Sequence, residues 1–463
     1  MRATATGADG AVHDLLDRPL PTRAERVEAG RRARERAPRR ALAGWDPTAR
    51  PRPAPEVLAD AHAIRVAELL PLRYGRMAGS PWAYLRGAAG VMANDLATRP
   101  HSGIEVQLCG DAHALNFGLW ATPERNLAFA VRDFDETLPG PFEWDVLRLA
   151  ASLVVLARDT GMGDEHGLTA VAAASRGYRA RMTGYADRAE LDIWYDRIHQ
   201  AALLDWLEPA DRAPMAARIA KAASRKSNDG AFDRLTTTAG GHRTITDDPP
   251  RRVHIERADQ RDLVREILTS YLDSTAPHVH RLLDRVAITD VVRQVVGVGS
   301  VGMRVFLVLA EGASGRSPLF LQVKQAGPSV YEPLLGASPF AHHGQRVIAG
   351  QRLMQSAPDS FLGWTEVAGM EFYVRQLRDM KVIPAGDRIV AHLVEFATAC
   401  GHALAKSHAR SGDPLVIASY LGKGAAFDAG VAGFARAYAD QTAADHAELV
   451  AAIADGEIEA VDG

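Results

Sequence analysis

The alternation of apolar and polar positions divides the chain into helical and extended stretches. Residues 55–96 carry apolar side chains at helical spacing, interrupted by a turn at Gly79–Pro81. Two short apolar runs follow, Ile104 to Leu108 and Leu127 to Val131, and each leads into a loop with acidic residues. We expect both runs to be strands, because short apolar runs bounded by turn-forming residues are typical of strands. The segment EWDVLRLAASLVVLAR then predicts a strongly apolar helix, and helical patterns continue over 165–212.

The second half of the chain begins with a polar, turn-rich stretch, residues 224–250, which we interpret as a linker or mobile loop. A helix is predicted at about 258–285. The segment VVRQVVGVGSVGMRVFLVLAEGASGRSPLFLQVKQAG then predicts a β-meander of three short strands, separated by a glycine-rich loop and a Gly/Ser turn. Helical spacing returns in HGQRVIAGQRLMQ, a strand pair is expected around LGWTEVAGMEFYVRQL, and residues 390–453 are predicted to be helical.

The segment before the first long helical pattern has a different composition. Residues 22–54 are rich in arginine and proline, which predicts an extended arm with one short helix before Pro38. Two interpretations of its positive charge stay open. It is either a solvated basic tail or a contact with a phosphate group of the substrate.

Composition places the chain among globular proteins. Its 463 residues are enough for two or three packed units, and 47% hydrophobic with 24% charged residues is ordinary for a buried core. The net charge of -3 provides no general attraction to nucleic acid or anionic membranes, so neither partner is expected. The first twenty residues lack a signal-peptide core, and no apolar run approaches membrane-spanning length. Cys109 and Cys400 lie in apolar surroundings that suit buried thiols, so we expect a soluble, cytoplasmic protein.

The first group of candidate catalytic residues lies in the two loops that follow the predicted strands. Asp111 precedes Asn116 by five residues, and an Asp-Phe pair beginning at Asp133 follows Asn116 by seventeen. Phosphoryl-transfer enzymes use this arrangement: one carboxylate orients or deprotonates the attacking hydroxyl, while an amide oxygen and a second carboxylate bind Mg²⁺. Asp135 is a second possible metal ligand, although Asp133 is favoured. His113 is not counted as a ligand, because a single histidine beside an aspartate is more often held by hydrogen bonds.

A second group of candidates binds phosphate in our interpretation. Gly297, Gly299, Ser300 and Gly302 form a G-x-G-x-x-G motif, but a β-rich segment follows it where a dinucleotide-binding fold would have a helix. A glycine-rich hairpin fits better, since its backbone N–H groups can approach phosphates closely. Lys324, in the next predicted strand, would contact the α- and β-phosphates of a nucleotide; the alternative is a solvent-facing lysine on an edge strand.

Further charged residues have supporting or substrate-binding roles in this interpretation. Asp145, near the start of the apolar helix, either caps that helix or accepts hydrogen bonds from the backbone of the Asp111 loop. Arginine guanidinium groups suit phosphate and carboxylate, and the same side chains also pack their stems against cores. The arginines considered for substrate binding are Arg73, Arg76, Arg86, Arg375 and Arg378.

These motifs resemble a bacterial family called domain of unknown function 2252. The resemblance covers roughly residues 30 to 445 and is carried by specific segments. These segments are RYGRMAGSPWAYLRG, LCGDAHALNFG, RDFDETLPGPFEWDVLRLAAS, GVGSVGMR, LQVKQA, GQRVIAGQRLMQ, YVRQLRDMK and LAKSHARSGD. The family resemblance by itself implies no activity.

More distantly, the same residues resemble the protein-kinase-like and aminoglycoside-phosphotransferase-like superfamily. By that resemblance Asp111 is the catalytic-loop aspartate, and Asn116 and Asp133 are the metal ligands. The motif at Gly297 to Gly302 corresponds to the glycine-rich loop, and Lys324 corresponds to the phosphate-contacting lysine. Asp145 would be the helix aspartate that anchors the catalytic loop.

The order of these motifs is unusual for that superfamily. There the glycine loop and lysine precede the catalytic loop, whereas here they follow it by almost two hundred residues. The resemblance therefore implies an α+β, two-lobed kinase-like fold that is circularly permuted, with a mainly helical large lobe and a small antiparallel β lobe. The predicted organisation is an N-terminal arm (1–54), a helical large lobe (55–285), a small β lobe (286–385) and C-terminal helices returning to the large lobe (386–463).

The lysine partner departs from the superfamily pattern. Its usual partner is a glutamate on the following helix, yet residues 334–358 contain no acidic residue. Glu332, or a glutamine such as Gln345 or Gln351, would have to substitute, or Lys324 is held by phosphate alone.

The function implied is an ATP- and Mg²⁺-dependent phosphotransferase that acts on a hydroxyl-bearing small molecule or protein. Three alternatives stay open. The first is a nucleotide-binding regulator without turnover, and the second is an AMP transferase of the same fold. The third is a metal-dependent hydrolase built from Asp111, His113, Asp133 and Asp135, which would not need Lys324.

Overall fold

The structure is a computed structural model that describes residues 19–239, 242–255, 258–313, 318–377, 380–383 and 390–461. It combines α-helices with antiparallel sheets. The described helices are α1 (Arg23–Arg36), α2 (Ala54–Asp60), α3 (Leu70–Ala78), α4 (Pro81–Gly87), α5 (Ala89–Ala97), α6 (Phe142–Asp159), α7 (Gly163–Tyr185), α8 (Glu190–Tyr195), α9 (Gln200–Leu204), α10 (Pro209–Arg225), α11 (Asn228–Leu235), α12 (Ala258–Ser270), α13 (Pro277–Leu283), α14 (Glu332–Leu335), α15 (His343–Met354), α16 (Leu393–Ser411), α17 (Pro414–Leu421) and α18 (Ala426–Ala454). The described strands are β1 (Glu105–Leu108), β2 (Phe117–Ala121), β3 (Leu127–Val131), β4 (Leu138–Pro141), β5 (Ile198–His199), β6 (Thr236–Ala239), β7 (His242–Ile245), β8 (Arg252–His254), β9 (Val286–Gln294), β10 (Val305–Gly312), β11 (Pro318–Gln325), β12 (Gly363–Val367) and β13 (Met370–Gln376).

The largest sheet has six antiparallel strands in the order β12-β13-β11-β10-β9-β8. Both of its faces are covered. Phe306 and Val308 of β10 pack in a cluster with helix α12, whereas Leu307 and Leu309 pack in a cluster with helix α11. Because both faces are buried, β10 and β11 have nearly continuous apolar sequences rather than an alternating pattern. The predicted meander and the later strand pair are therefore confirmed as β9 to β11 and β12 with β13.

Helix α6 is the centre of the helical part. Every residue from Phe142 to Ala157 is buried, including the charged residues Glu143, Asp145 and Arg148. Helices α7 and α18 pack against α6, and α16 packs against α7. The apolar helix and the C-terminal helices predicted from the sequence are confirmed.

Two small sheets bring the acidic loops together. β1 pairs with β4, and β2 pairs with β3, which also pairs with the short β5. The loop after β1 and the loop after β3 consequently lie side by side. Gly110 (φ +86°) permits this contact, because a Cβ there would overlap the backbone carbonyl of Glu136.

The N-terminal segment is not the extended arm that its composition predicted. The helix expected before Pro38 is α1, which begins with a capping box between Thr22 and Glu25. Its buried face, Gly30 and Ala33, packs against α17. Helix α1 packs closely because it has small residues on one side, which the abundance of arginine concealed; residues 1–18 of the predicted arm lie outside the described part.

Two other expectations need correction. Residues 224–250 are not a linker: they include the end of α10, helix α11 and the β6–β7 hairpin, whose residues 240–241 lie outside the described part. The helix expected at about 258–285 is two helices, because the chain leaves α12 through a 3-10 turn and α13 begins at Pro277.

Two further features concern the cysteines and the apolar helices. Both cysteines, Cys109 and Cys400, lie within the described residues and are buried and free. Among the same residues, no single helix is both long and apolar enough to cross a membrane; the pair Pro414–Leu421 and Ala426–Ala454, bent by 82°, reaches that apolar length only when joined.

Candidate functional site

A cavity of about 250 Å³ lies where the helices after residue 50, the two acidic loops and the glycine-rich loop meet. Five carboxylate side chains line it: Asp60, Asp111, Asp133, Asp135 and Glu136. The structure thus brings together loops that are separated by nearly two hundred residues, since Gly299 and Ser300 line the same cavity.

Asp111 is held in place by a buried arginine of helix α6. Its Oδ1 accepts hydrogen bonds from Arg148 Nε (3.0 Å) and Nη2 (2.8 Å). His113 Nε2 lies 3.7 Å from Asp111 Oδ2, and burial keeps the pKa of His113 well below its ordinary value. Burial also raises the pKa of Asp111, an effect that Arg148 and Arg86 oppose. One carboxylate oxygen is therefore fixed by Arg148, and the other lies beside a neutral imidazole.

The backbone before Asp111 is anchored by Asp145. The Asp145 carboxylate accepts hydrogen bonds from Cys109 N (2.7 Å) and Gly110 N (3.1 Å). His408 Nε2 lies 3.3 Å from Asp145 Oδ2, and Tyr178 Oη is 2.9 Å from the other ring nitrogen of His408. Of the two roles left open for Asp145, the structure has the second: it accepts hydrogen bonds from the backbone of the Asp111 loop.

Asn116 closes the same loop. Its Nδ2 donates to the carbonyl oxygen of Asp111 (2.6 Å), and its own carbonyl oxygen accepts from Arg132 N (3.0 Å). The side-chain amide oxygen, which is the atom an asparagine offers to a metal, takes no part in these two bonds.

Lys324 pairs with the acidic residues after β3. It is 2% exposed on the central strand β11; its Nζ donates to Asp135 Oδ2 and lies 3.9 Å from Asp133 Oδ1. Tyr373 Oη donates to the other oxygen of Asp135 (2.6 Å). The edge-strand alternative for Lys324 is therefore wrong, because β10 and β13 flank β11 on its two sides.

The two aspartates have different environments. Burial and the negative charge of Asp135 raise the pKa of Asp133, whereas Lys324 and Tyr373 outweigh burial and lower the pKa of Asp135. The charges of both aspartates outweigh burial and raise the pKa of Lys324. Among the described atoms, Asp133 Oδ1 is buried without a hydrogen-bond partner. Asp133 thus has an unused acceptor oxygen, and both oxygens of Asp135 are engaged.

The partner of Lys324 is an aspartate of the loop and not a residue of the following helix. Helix α15 instead contributes Arg346, whose guanidinium donates to the carbonyl oxygens of Asp135 (2.8 Å) and Thr137 (2.7 Å). Glu332 lies 3.6 Å from Arg346 Nε. The proposed substitution of Lys324's partner by Glu332, Gln345 or Gln351 is therefore wrong, and α15 acts on the loop backbone through Arg346.

The glycine-rich loop joins β9 to β10 through a 3-10 turn at Val298–Ser300. Its carbonyl groups are held by arginines from the N-terminal helices: Arg65 donates to Gly299 O (2.9 Å) and Val301 O, and Arg76 donates to Val296 O (2.9 Å). The hairpin predicted from the motif is confirmed, with Gly302 at φ +93°.

A family model described as an uncharacterized protein conserved in bacteria (DUF2252) matches residues 65–452. The chain belongs to the DUF2252 family. No curated protein and no solved structure matches the chain. The matched span of this DUF2252 chain contains the two acidic loops, the glycine-rich loop and Lys324.

The candidate arginines of the DUF2252 chain divide into separate groups. Arg73 and Arg86 line the cavity, and Arg76 binds the glycine-rich loop. Arg375 lies on β13, where its Nε donates to Gln322 Oε1 (3.0 Å). Arg378 lies outside the described residues.

Sequence reasoning missed several residues of the site: Glu136, Arg65, Arg148 and Arg346. Glu136 lines the cavity, and burial raises its pKa to about 7. For Arg148 a signal was present, because an arginine inside the apolar run DVLRLAAS needs a buried partner. Arg65 and Arg346 act on backbone carbonyls, for which a sequence carries no comparable signal.

No group of three or more His, Cys, Asp or Glu side chains within the described ranges is placed to hold a metal ion. The cavity therefore offers no multi-ligand site of the kind that zinc and other transition metals use.

Proposed function

We propose that this DUF2252 chain is an ATP- and Mg²⁺-dependent phosphotransferase that acts on a hydroxyl-bearing acceptor. The observation that carries the proposal is the meeting of Asp111, Asp133 and the Gly299–Ser300 turn at one cavity. Phosphoryl transfer needs these parts together: a group for the attacking hydroxyl, a metal ligand and backbone for the phosphates.

A permuted kinase-like fold is part of this proposal. Its support is the order of elements along the chain: β9, the glycine-rich loop, β10, β11 with Lys324, and then helix α15. The three strands lie in one antiparallel sheet. The anchoring of Cys109 and Gly110 by Asp145 agrees with the same resemblance. The C-terminal helix α16 returns to this anchor through His408.

In this mechanism Asp111 accepts the proton of the acceptor hydroxyl. Arg148 fixes the direction of the carboxylate through two hydrogen bonds to Oδ1, so the second oxygen faces the acceptor. The raised pKa of Asp111 makes its carboxylate a stronger base than an exposed aspartate. Asp145 and Asn116 keep the backbone of this loop in position.

The residues present fit a magnesium ion with few protein ligands. Mg²⁺ takes one or two carboxylates and keeps waters or phosphate oxygens for the remaining positions. Asp133, which lines the cavity, has a buried oxygen without a hydrogen-bond partner in the described part, and Asn116, which is not among the cavity-lining residues, has an amide oxygen outside its two loop bonds. When bound, the ion would neutralise phosphate charge. Lys324 compensates the negative charges of Asp135 and Asp133, and it would also compensate the charge of the nucleotide phosphates.

A thermal-shift titration with ATP, ADP and GTP, each with and without Mg²⁺, tests the nucleotide site. Ligand at one hundred times its dissociation constant stabilises the native state by about 2.7 kcal/mol. We expect a Mg²⁺-dependent shift that Asp133→Asn removes. Asp164→Asn, which alters a surface ion pair with Arg158, is the matched control and should retain the shift. Absence of any shift in the wild type would contradict the proposal.

The catalytic role of Asp111 has its own prediction. Asp111→Asn keeps the shape of the side chain but cannot accept the proton, so we expect activity to fall by about 10²–10⁴-fold while nucleotide binding persists. Mass spectrometry of the acceptor product checks the transferred group. A product heavier by the mass of an AMP group would indicate nucleotidyl transfer rather than phosphoryl transfer. Nucleotide binding without any product would favour a regulator.

A further inference from the structure

The cavity also has a basic wall. Four arginines line it: Arg52, Arg65, Arg73 and Arg86. In the proposed function, the glycine-rich loop, Lys324 and the metal ion at Asp133 bind the nucleotide phosphates. Arg52 pairs with Asp60 and Arg65 holds the glycine-rich loop, which leaves Arg73 and Arg86 without a role in that part of the reaction.

Arg73 is the least compensated charge of the wall. Its side chain is 2% exposed, and its Nη2 donates to Gly87 O (2.9 Å). Within the described ranges, Nε and Nη1 have no hydrogen-bond partner, and no carboxylate forms an ion pair with Arg73. The ring of Tyr74, 5.6 Å from the guanidinium carbon, supplies a weak cation–π contact. Burial lowers the pKa of Arg73, as expected for a cation without an anion.

Arg86 and Arg65 present similar unused donors. The Nε atoms of Arg86 and Arg65 are buried and lack partners among the described atoms. Arg86 lies over the ring of Trp82, at 5.9 Å. The other guanidinium nitrogens of Arg65 hold the glycine-rich loop. Buried donors without acceptors are rare, and the three arginines that carry them all line one cavity, which favours a ligand there that supplies acceptor oxygens.

The same cavity contains Asp111, the proposed base. A volume of about 250 Å³ admits a small molecule and excludes a folded protein segment. Part of the wall is apolar, formed by Val57, Ile64 and Val330. A ligand in this space would therefore place a polar group near Asp111 and oxygen atoms near the arginines.

We propose that Arg73, together with Arg86, binds a phosphate or carboxylate group of the acceptor, and that the acceptor is a small anionic molecule whose hydroxyl faces Asp111. This inference rests on the proposed function for the role of Asp111, while the anion site itself rests only on the cavity and its unpaired donors. The planar guanidinium fork matches two oxygens of a phosphate or carboxylate. The negative charge of the acceptor thus compensates the buried cation.

Isothermal titration calorimetry with inorganic phosphate tests the anion site. We expect wild-type protein to bind phosphate with a dissociation constant of about 1 mM or tighter, and Arg73→Gln to weaken it about tenfold or more, because charge-assisted bonds are lost. Arg86→Gln should weaken binding as well. Arg176→Gln removes the same charge from an exposed position on α7 and should leave binding unchanged. No phosphate binding by the wild type would overturn the inference.

Arg73→Gln is expected to fold, because it removes a buried charge that no carboxylate balances in the described structure. Arg73→Lys provides a second measurement: it retains the charge but loses the planar fork, so phosphate binding should still weaken. Unchanged phosphate affinity in Arg73→Gln, Arg73→Lys and Arg86→Gln would overturn the assignment of these residues.

A second titration distinguishes an anion site for the acceptor from the site of the nucleotide phosphates. Phosphate binding is measured again with a non-hydrolysable ATP analogue and Mg²⁺ at saturation. Binding that persists places the anion beside the nucleotide, as the inference requires; competition by the analogue would assign the arginines to the nucleotide and overturn it. Phosphate binding without any nucleotide binding would retain the anion site and contradict the proposed function, so the two failures are distinguishable.

Discussion

At the level of single residues, the acidic cavity depends on one lysine. Lys324 is nearly inaccessible to solvent and lies within ion-pair distance of both Asp135 and Asp133. Two adjacent, half-buried carboxylates repel each other and lose part of their hydration, so a nearby cation favours the ionised form of both. The lysine is therefore a structural element of the site as well as a candidate phosphate ligand.

Lys324→Met is expected to lower the free energy of unfolding by about 1–3 kcal/mol at neutral pH, because it leaves two adjacent, half-buried carboxylates without their cation. The loss should be smaller at pH 5, where the aspartates can take up protons. Urea denaturation at both pH values measures this. Lys221→Met, at an exposed position of α10, is the control and should change stability by less than about 0.5 kcal/mol. Equal stability of both variants at pH 7 would contradict the ion-pair role.

Glu136 is predicted to produce a pH dependence of stability. Burial raises its pKa from 4.5 to about 7, so between these values the native state binds the proton more tightly than the unfolded chain. The stability contributed by this proton is complete below about pH 4.5 and is lost as pH rises to about 7. The loss is at most about 3 kcal/mol, since the carboxyl group borders a cavity.

The Glu136→Gln variant tests this assignment. It should lack this contribution, so its free energy of unfolding relative to wild type should rise between pH 5 and pH 8 when measured by denaturation. Glu165→Gln, at an exposed position, should track the wild type across that range. A constant difference between Glu136→Gln and wild type would show that Glu136 has no raised pKa.

At the level of elements, the N-terminal helix shows how packing overrides composition. α1 has many arginines and almost no large apolar side chains, yet its Gly30 lies directly against α17. Arg26 forms an ion pair with Asp413, and Arg34 donates to the carbonyl oxygen of Tyr420. The arginines of this helix therefore hold it to its neighbour as well as solvating it.

Gly30→Ala is expected to destabilise the protein by about 1–3 kcal/mol, because the new methyl group would overlap the Val416 carbonyl oxygen and lie 2.6 Å from the Ser419 Cβ. Gly184→Ala, in α7 with open space around its Cα, should stabilise the protein by about 0.5–1 kcal/mol. Thermal unfolding of the two variants measures the contrast. A stabilised Gly30→Ala protein would show that α1 does not pack on α17.

At the level of the whole molecule, contacts distant in sequence connect the N-terminal segment to the C-terminal helix. Arg50 donates to Asp95 in a bidentate pair (2.9 and 2.7 Å) and to Asp445 of α18 (2.7 Å). Tyr438 Oη donates to Asp95 as well (2.7 Å). Since Asp95 is buried, its charge depends on Arg50, and the two ends of the chain are coupled through this group.

Arg50→Met is expected to lower the free energy of unfolding by about 3–5 kcal/mol, because Asp95 and Asp445 would be left buried without their cation. Arg52→Met is a control two residues away. Its pair with Asp60 is largely exposed and should contribute no more than about 1 kcal/mol. Chemical denaturation of both variants at pH 7 tests the difference, and equal losses would argue against a buried network.

Local patterns were sufficient for several features. The strands before the acidic loops, the glycine-rich hairpin, the apolar helix α6 and the C-terminal helices follow from periodicity and turn residues, which act over a few neighbouring positions. The candidate residues Asp111, Asp133 and Asp135 could be named because they follow strands in short polar motifs, and the structure places all three around one cavity.

What the sequence by itself determined is therefore the type of most elements and the identity of the polar residues at strand ends. Tertiary structure decided the pairing of Lys324 with Asp135, the clamp of Arg148 on Asp111, and the placement of Arg73 with unused donors in the cavity. The physical reason is the distance along the chain over which each effect acts. Hydrophobic periodicity is a property of neighbouring residues, whereas the partner of a buried charge is set by which distant segments the folded core brings within hydrogen-bonding distance.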